Sequence, residues 1–224
     1  MSDLTFYFHP SPNPLKVALL LEELELDYDV KPVDTFKGEQ HKPEFLALNP
    51  NAKLPVLVDG DATIFDSNAI LLYLAEKHGK FLPQDPAVRA GVLSWHHFIA
   101  TGLSPFSGQA VHFLKMCPED IPYAKNRYEK EVARHYAVLD ERLKTNAFIA
   151  GDTYSIADIG AWGWMNFAPY IFDDGLAQFP NVARLFDAIS ANPAAQRVEA
   201  LKGRHEFKQD FDDETAKALF PQNF

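Results

Sequence analysis

The side chains that could do covalent chemistry are few. Cys117 is the only cysteine. It rules out an intrachain disulfide and any cysteine-based metal site, and it reads as a small semi-buried side chain. His96 and His97 are adjacent, so on a helix they point ~100° apart and do not readily share a metal; they read as ordinary helix histidines. There is no G-x-S-x-G elbow, because Gly102-Leu103-Ser104-Pro105-Phe106-Ser107-Gly108 has the wrong spacing. There is no G-x-x-x-x-G-K-[ST], no G-x-G-x-x-G and no H-E-x-x-H. What remains is two polar clusters at helix starts, Ser11-Pro12-Asn13-Pro14 and Asp66-Ser67. Ser and Asn suit turns, Ser67 suits a helix N-cap, and a helix N-terminus favours anions.

The elements that must position those clusters follow from periodicity. Residues 4–8 are a short apolar and aromatic run, a strand. The Pro-rich turn leads into a helix over 15–24, with Val17, Leu20, Leu21 and Leu24 on one face and Pro14 at the first helical position. A second strand is expected over 27–33, a short helix over 42–47, a strand over 54–58, and a hairpin partner over 62–65 after Asp59-Gly60-Asp61. Pro55 cannot donate a ladder hydrogen bond and belongs near that strand's start or at an edge. A helix over 67–77 completes the order β-α-β-α-β-β-α. The Pro-rich stretch 81–88 reads as a linker. Beyond it the pattern is helical only, over 89–100, 123–143, 156–166, 182–191 and 193–201. Ser155 and Asp158 resemble a capping box, with Tyr154 and Ile159 as a hydrophobic staple. The expected organisation is α+β: a mixed domain over 1–80, the linker, an all-α domain over 89–205, and an acidic, phenylalanine-containing tail over 206–224.

The chain has 224 residues, 47% hydrophobic and 23% charged, the balance of a globular protein with a sizeable core. Its net charge of −10 repels phosphate backbones, so nucleic acid is not an expected partner. The amino-terminal Met1-Ser2-Asp3 has no basic or apolar region of a signal peptide. No apolar run approaches the about 18–20 residues that span a bilayer. The expectation is a cytoplasmic protein with no membrane partner and no metal.

A β-α-β-α-β-β-α unit with a proline at the start of its third strand resembles the thioredoxin fold. Redox members of that fold carry C-x-x-C after the first strand, where the helix N-terminus lowers a thiol pKa. Here Ser11-Pro12-Asn13-Pro14 stands in that place, so if this fold handles thiols, the thiol has to come from a cosubstrate. Asn49-Pro50-Asn51-Ala52-Lys53-Leu54-Pro55, then Phe65-Asp66-Ser67-Asn68-Ala69-Ile70-Leu71-Leu72-Tyr73-Leu74, then Tyr154-Ser155-Ile156-Ala157-Asp158-Ile159, resembles the cytosolic glutathione transferases over about residues 4–202. Ser11-Pro12-Asn13, Gly38-Glu39-Gln40, Lys53-Leu54-Pro55 and Ile121-Pro122-Tyr123-Ala124 up to Arg127 are most similar to the bacterial Nu class, itself similar to the yeast nitrogen-regulator-like transferases. Ser11 and Pro14 stand where that class usually has Thr and Gly, and Pro14 removes one backbone donor.

The resemblance implies glutathione as cosubstrate and gives each part of it a partner. Asp66 pairs with the γ-glutamyl ammonium, and Ser67 with its carboxylate, aided by the helix dipole. Pro55 is expected to be cis, which leaves the Leu54 backbone to pair with the cysteinyl unit in the manner of an added strand. Gln40 and Lys53 meet the glycine carboxylate, and Arg127 reaches in from the helical half. A thiol of pKa ~8.5 is only a few per cent ionised at pH 7, so Ser11 and Asn13 are assigned as donors that lower it. Tyr7 is the rival activator, since other classes use a tyrosine at the end of the first strand; burial habits favour a core role for it. Trp95, Phe106, His112, Phe113, Trp162, Trp164 and Phe167 are candidates for a pocket between the domains.

The activity so implied is glutathione-dependent disulfide reduction on a small-molecule disulfide. Conjugation of aromatic or epoxide electrophiles, or peroxide reduction, is the alternative within the family. A glutathione-binding regulatory module without turnover is the alternative outside it. A homodimer is implied, with the first domain of one subunit facing the helices of the other.

Overall fold

The computed structural model describes residues 3–224; Met1 and Ser2 of the amino-terminal reading lie outside the described residues. Among the described residues four strands form one sheet, β1 (Leu4–Phe8), β2 (Asp29–Pro32), β3 (Val56–Asp59) and β4 (Ala62–Phe65), in the order β2-β1-β3-β4. β1 runs parallel to β2 and antiparallel to β3, and β3 pairs antiparallel with β4. Strand β1 alternates: Phe6 and Phe8 are fully buried while Thr5 and Tyr7 are half-buried, as period 2 requires. The β3–β4 hairpin turns through Gly60, whose φ of +56° suits a residue without a Cβ.

The helices are α1 (Pro12–Glu23), α2 (Pro43–Leu46), α3 (Ser67–His78), α4 (Pro86–Phe98), α5 (Ser104–Val111), α6 (Pro122–Leu143), α7 (Ile156–Met165), α8 (Pro180–Ser190), α9 (Pro193–Lys202) and α10 (Asp213–Leu219). The mixed sheet with its helices, followed by an all-helical half, is the α+β, thioredoxin-like architecture expected. Helix α1 is buried on every side from Leu15 to Leu21, because it lies between the sheet and the second half. Gly163 of α7 makes that contact close: a Cβ there would stand 2.4 Å from the Pro12 carbonyl oxygen and 3.1 Å from the Lys16 Cβ.

Local starts and stops obey capping rules, with two corrections. Helix α1 begins at Pro12, not near Leu15, so Pro12 takes the first helical position and Pro14 the third. Both fit, because first-turn amides have no intrahelical acceptor. The cap of α3 is Asp66, not Ser67: its Oδ1 accepts from the amides of Asn68 at 2.8 Å and Ala69 at 3.2 Å. At α7 the capping box forms as expected, with Asp158 accepting from the Ser155 amide at 2.9 Å and from the Ile149 amide at 2.8 Å.

A third correction is larger. The sequence expectation ended a helix at 100 and left 101–122 without one. The chain instead stays helical from α4 through a π turn (Ile99–Leu103), α5 and a second π turn (His112–Met116). The apparent breakers each have a role there. Pro105 sits in the first turn of α5, where a missing N–H is harmless. Gly102 admits the His135 ring, and Gly108 lies against Trp164, 3.5 Å from where a Cβ would be.

The acidic tail is docked. Phe207 is buried against Phe8 and His9 with centroids 6.3 and 4.9 Å away, and the Lys208 amide donates to Asp34 Oδ2 at 2.8 Å. Among the described residues no helix is long and apolar enough to cross a membrane.

Candidate active site

A cavity of about 650 Å³ opens where the N-terminus of α1, the 34–40 turn, the 52–54 segment, the 108–116 helical run and the tail converge. That volume suits a small organic ligand. Ser11 and Asn13 are on its floor, and Gln40, Lys53 and Leu54 are on one side.

The α1 terminus is nearly stripped of free amide hydrogens. Pro12 and Pro14 have none, and the Ser11 amide donates to the His9 carbonyl at 2.7 Å. The Leu15 amide donates to the Ser11 carbonyl at 3.1 Å, the first bond of the helix. The first turn is left with the amide hydrogen of Asn13. The Asn13 side chain is oriented from the other half of the protein: its Oδ1 accepts from Trp164 Nε1 at 3.3 Å. An indole N–H only donates, so the amide oxygen must face it. The Asn13 NH₂ is then the end free to donate to a ligand. The Ser11 hydroxyl, which makes no cap bond to the helix, adds a second side-chain donor.

The 49–54 segment is shaped by Asn49, which is buried. Its Nδ2 donates to the Lys53 carbonyl at 2.6 Å and its Oδ1 accepts from the Asn51 amide at 3.0 Å. This turn delivers Lys53, exposed, and Leu54, half-buried, to the cavity rim. The Leu54–Pro55 peptide is cis, as expected. Pro55 is itself buried and does not line the cavity, while Leu54 does.

The remaining candidate residues divide. Asp66 and Ser67 stand at the N-terminus of α3, outside the cavity walls. Asp66 adopts φ +72°, a conformation that costs a non-glycine residue about 1–3 kcal/mol and that clusters at functional sites. Arg127 is also outside the walls; it is exposed and lies 3.7 Å from Glu131 on its own helix. Tyr7 packs its ring on Phe45, 6.0 Å between centroids, in a small cluster with Val33 and Val56, and does not line the cavity. Of the aromatic candidates, His112, Phe113, Trp164 and Phe167 line it. Trp162 is buried with its indole donating to Ser190 at 3.0 Å, Trp95 packs on Phe98, and Phe106 on His135. Cys117 is not a lining residue, and among the described residues no cluster of His, Cys, Asp and Glu could hold a metal ion.

Two groups near the site escaped the sequence reading, and a third, His96, reads there only as an ordinary helix histidine. Lys16 is fully buried with its Nζ 3.2 Å from Asn68 Oδ1. Burial pushes its ammonium down to about 7, against the pull of Asp66. The signal was available: a helix apolar on almost every side is buried, and its one lysine goes in with it. His9 lines the cavity, and burial lowers its pKa despite nearby Asp34. His96 is buried with Nε2 3.2 Å from the Asn68 carbonyl, and burial holds it down at about 4.

Comparison with known proteins bears on this geometry. The family model described as Glutathione S-transferase, N-terminal domain, matches residues 2–76, and that for the C-terminal domain matches 103–193. The disulfide-bond oxidoreductase YfcG of Escherichia coli is 43% identical over 198 residues, which cover 85% of this chain and 92% of that protein. A glutathione transferase structure from Burkholderia graminis, with two glutathione molecules bound per subunit, is 36% identical with a TM-score of 0.85, covering 90% of this chain and 89% of that one. One from Pseudomonas putida, with one glutathione disulfide bound per subunit, is 35% identical with a TM-score of 0.84, covering 89% of this chain and 92% of that one.

Proposed function

The chain belongs to the glutathione S-transferase family, and we propose that within it the protein reduces small-molecule disulfides with glutathione. The observation that carries this reading is the α1 terminus: a cavity with no thiol of its own, whose floor presents the Asn13 amide locked by Trp164 as a donor. Such a site suits a sulfur anion delivered by a cosubstrate. In this reading Ser11 and Asn13 donate to the glutathione sulfur and hold it ionised, as hydrogen bonds to a charged form do. The thiolate then forms a bond to one sulfur of the substrate disulfide. The old S–S bond breaks, and its electron pair leaves with the other sulfur, which takes a proton. A second glutathione thiolate attacks the mixed disulfide in the same way, releasing glutathione disulfide and the second substrate thiol.

Binding is assigned as follows. Leu54 pairs its backbone with the cysteinyl unit beside Pro55. Gln40 and Lys53 take the glycine carboxylate, and Asp66 and Ser67 at the α3 terminus take the γ-glutamyl end. Arg127 is assigned the outermost contact and needs to leave Glu131 to make it. The protein is read as a cytoplasmic homodimer. Phe65, 44% exposed on edge strand β4, and Val88, 48% exposed on α4, supply apolar surface for that contact.

The test is the steady-state rate of glutathione-dependent reduction of a small disulfide, coupled to glutathione reductase, with chlorodinitrobenzene conjugation run on the same preparation. A robust disulfide rate with weak conjugation is expected. The reverse ratio would make the protein a conjugating transferase, and neither rate with glutathione still bound would make it a binding module.

A further inference from the structure

The tail has two parts with different attachments. Its root is held by Phe207, by the Lys208 amide on Asp34, and by Thr215, which is buried with its hydroxyl donating to the Asp210 carbonyl at 3.1 Å. Its tip enters the cavity: Leu219, Phe220, Gln222 and Asn223 are lining residues. Beyond the packing of α10 on the 35–37 turn, two contacts reach from the tip to cavity residues. The Ala218 carbonyl accepts from Gln40 Nε2 at 2.9 Å and from His41 Nε2 at 2.8 Å. The Phe220 ring meets His112 edge-on with centroids 4.6 Å apart.

The first contact engages the very donor assigned above to the glycine carboxylate. Gln40 is buried, and its Nε2 is the end that faces the Ala218 carbonyl, so an acceptor arriving in the cavity competes with that carbonyl for the same N–H. A carboxylate is the stronger acceptor, because a hydrogen bond to an ion is roughly twice as strong as a neutral one. A neutral peptide carbonyl holding that donor is therefore displaceable by the ligand.

We propose that residues 218–223 are a ligand-displaced gate. The glycine carboxylate of glutathione takes Gln40 and His41 from the Ala218 carbonyl. Release of Ala218 frees Phe220 from His112, and the outer half of the cavity opens for the substrate disulfide. The root stays in place throughout. The tip thus couples occupancy of the glutathione site to the width of the second site, and Phe220 determines how bulky a disulfide enters before glutathione does. The proposal rests on the placement of glutathione at Gln40 in the proposed function.

The experiment is hydrogen exchange on the full chain, free and saturated with glutathione, together with calorimetric glutathione binding to wild type and Phe220→Ala. Exchange of the amides of 219–224 is expected to quicken roughly tenfold when glutathione binds, the effect of losing one or two hydrogen bonds, while 207–215 keep their protection. Phe220→Ala, which removes the ring contact that competes with opening, is expected to bind glutathione about three- to tenfold more tightly, the worth of one aromatic pair. Unchanged or slower exchange in the tip, with glutathione bound at wild-type affinity by both proteins, would overturn the gate and leave the disulfide-reductase reading standing. Failure of both proteins to bind glutathione would overturn that reading, and the gate with it.

Discussion

Asn13→Asp tests the sulfur site through a change of sign. The carboxylate is nearly isosteric with the amide, and Trp164 Nε1 still finds an oxygen where it now bonds Oδ1 at 3.3 Å. A carboxylate in the first turn of α1 is also favoured by the helix dipole, by about 0.3–1 kcal/mol. The fold should therefore survive. The group facing the cavity, however, changes from a two-hydrogen donor to an anionic acceptor. Losing a hydrogen bond to a charged sulfur costs about 1.5–3 kcal/mol. A like charge ~4 Å away costs about 4 kcal/mol at an effective dielectric of ~20. At about 1.36 kcal/mol per unit, the bound thiol should rise by at least about two pKa units. The ultraviolet absorbance of the bound thiolate against pH reads this directly. Disulfide turnover at neutral pH should fall at least about 100-fold on the same reasoning. A folded Asn13→Asp protein whose bound thiol titrates within about half a unit of wild type would show that Asn13 does not face the sulfur.

Other perturbations test the scaffold. Gly163→Ala puts a methyl 2.4 Å from the Pro12 carbonyl oxygen. Overpacking of this kind costs about 1–3 kcal/mol; it should lower Tm in a thermal melt and, by parting α7 from α1, weaken disulfide turnover as well. Tyr7→Phe should leave kcat/KM within about twofold, as a substitution outside the machinery does; abolished turnover would restore Tyr7 as the activator. His96 is held down at about 4 by burial, against ~6.5 in the unfolded chain. The unfolded chain therefore takes up that proton first, and stability present above ~6.5 is lost as pH falls towards ~4, by about 3 kcal/mol. Buried Asp158, pushed up to about 6 by desolvation, has the opposite slope between ~6 and ~4. The difference between wild type and His96→Gln in melts across that range isolates the histidine.

Much of this molecule was legible where chemistry is local. The element order of the first half and the β3–β4 hairpin follow from strand and helix periodicity and the Gly60 turn, and the α7 start follows from Ser155 and Asp158. The polar pair Ser11 and Asn13 at the cavity was legible as residue types, because both sit at a helix start. Its orientation was not, since the Trp164 bond joins residues 151 positions apart. Helix α5 was hidden because Gly102, Pro105 and Gly108 look like breakers until the partners they admit, His135 and Trp164, are known. Lys16 was hidden because a lysine is normally on a surface, and only the burial of all of α1 sends it inward. The tail was least legible. Its attachment depends on long-range contacts, among them Phe207 on His9, the Lys208 amide on Asp34 and Ala218 on Gln40, which leave no periodic trace.

The central claim is that the protein brings no thiol of its own and works through glutathione sulfur at the α1 terminus. The direct measurement is glutathione-dependent disulfide turnover by Cys117→Ser, a chain with no cysteine at all. The account predicts a rate within about twofold of wild type, as for a substitution outside the site. Loss of that rate in a folded, glutathione-binding Cys117→Ser protein would contradict it and place the reacting sulfur on Cys117.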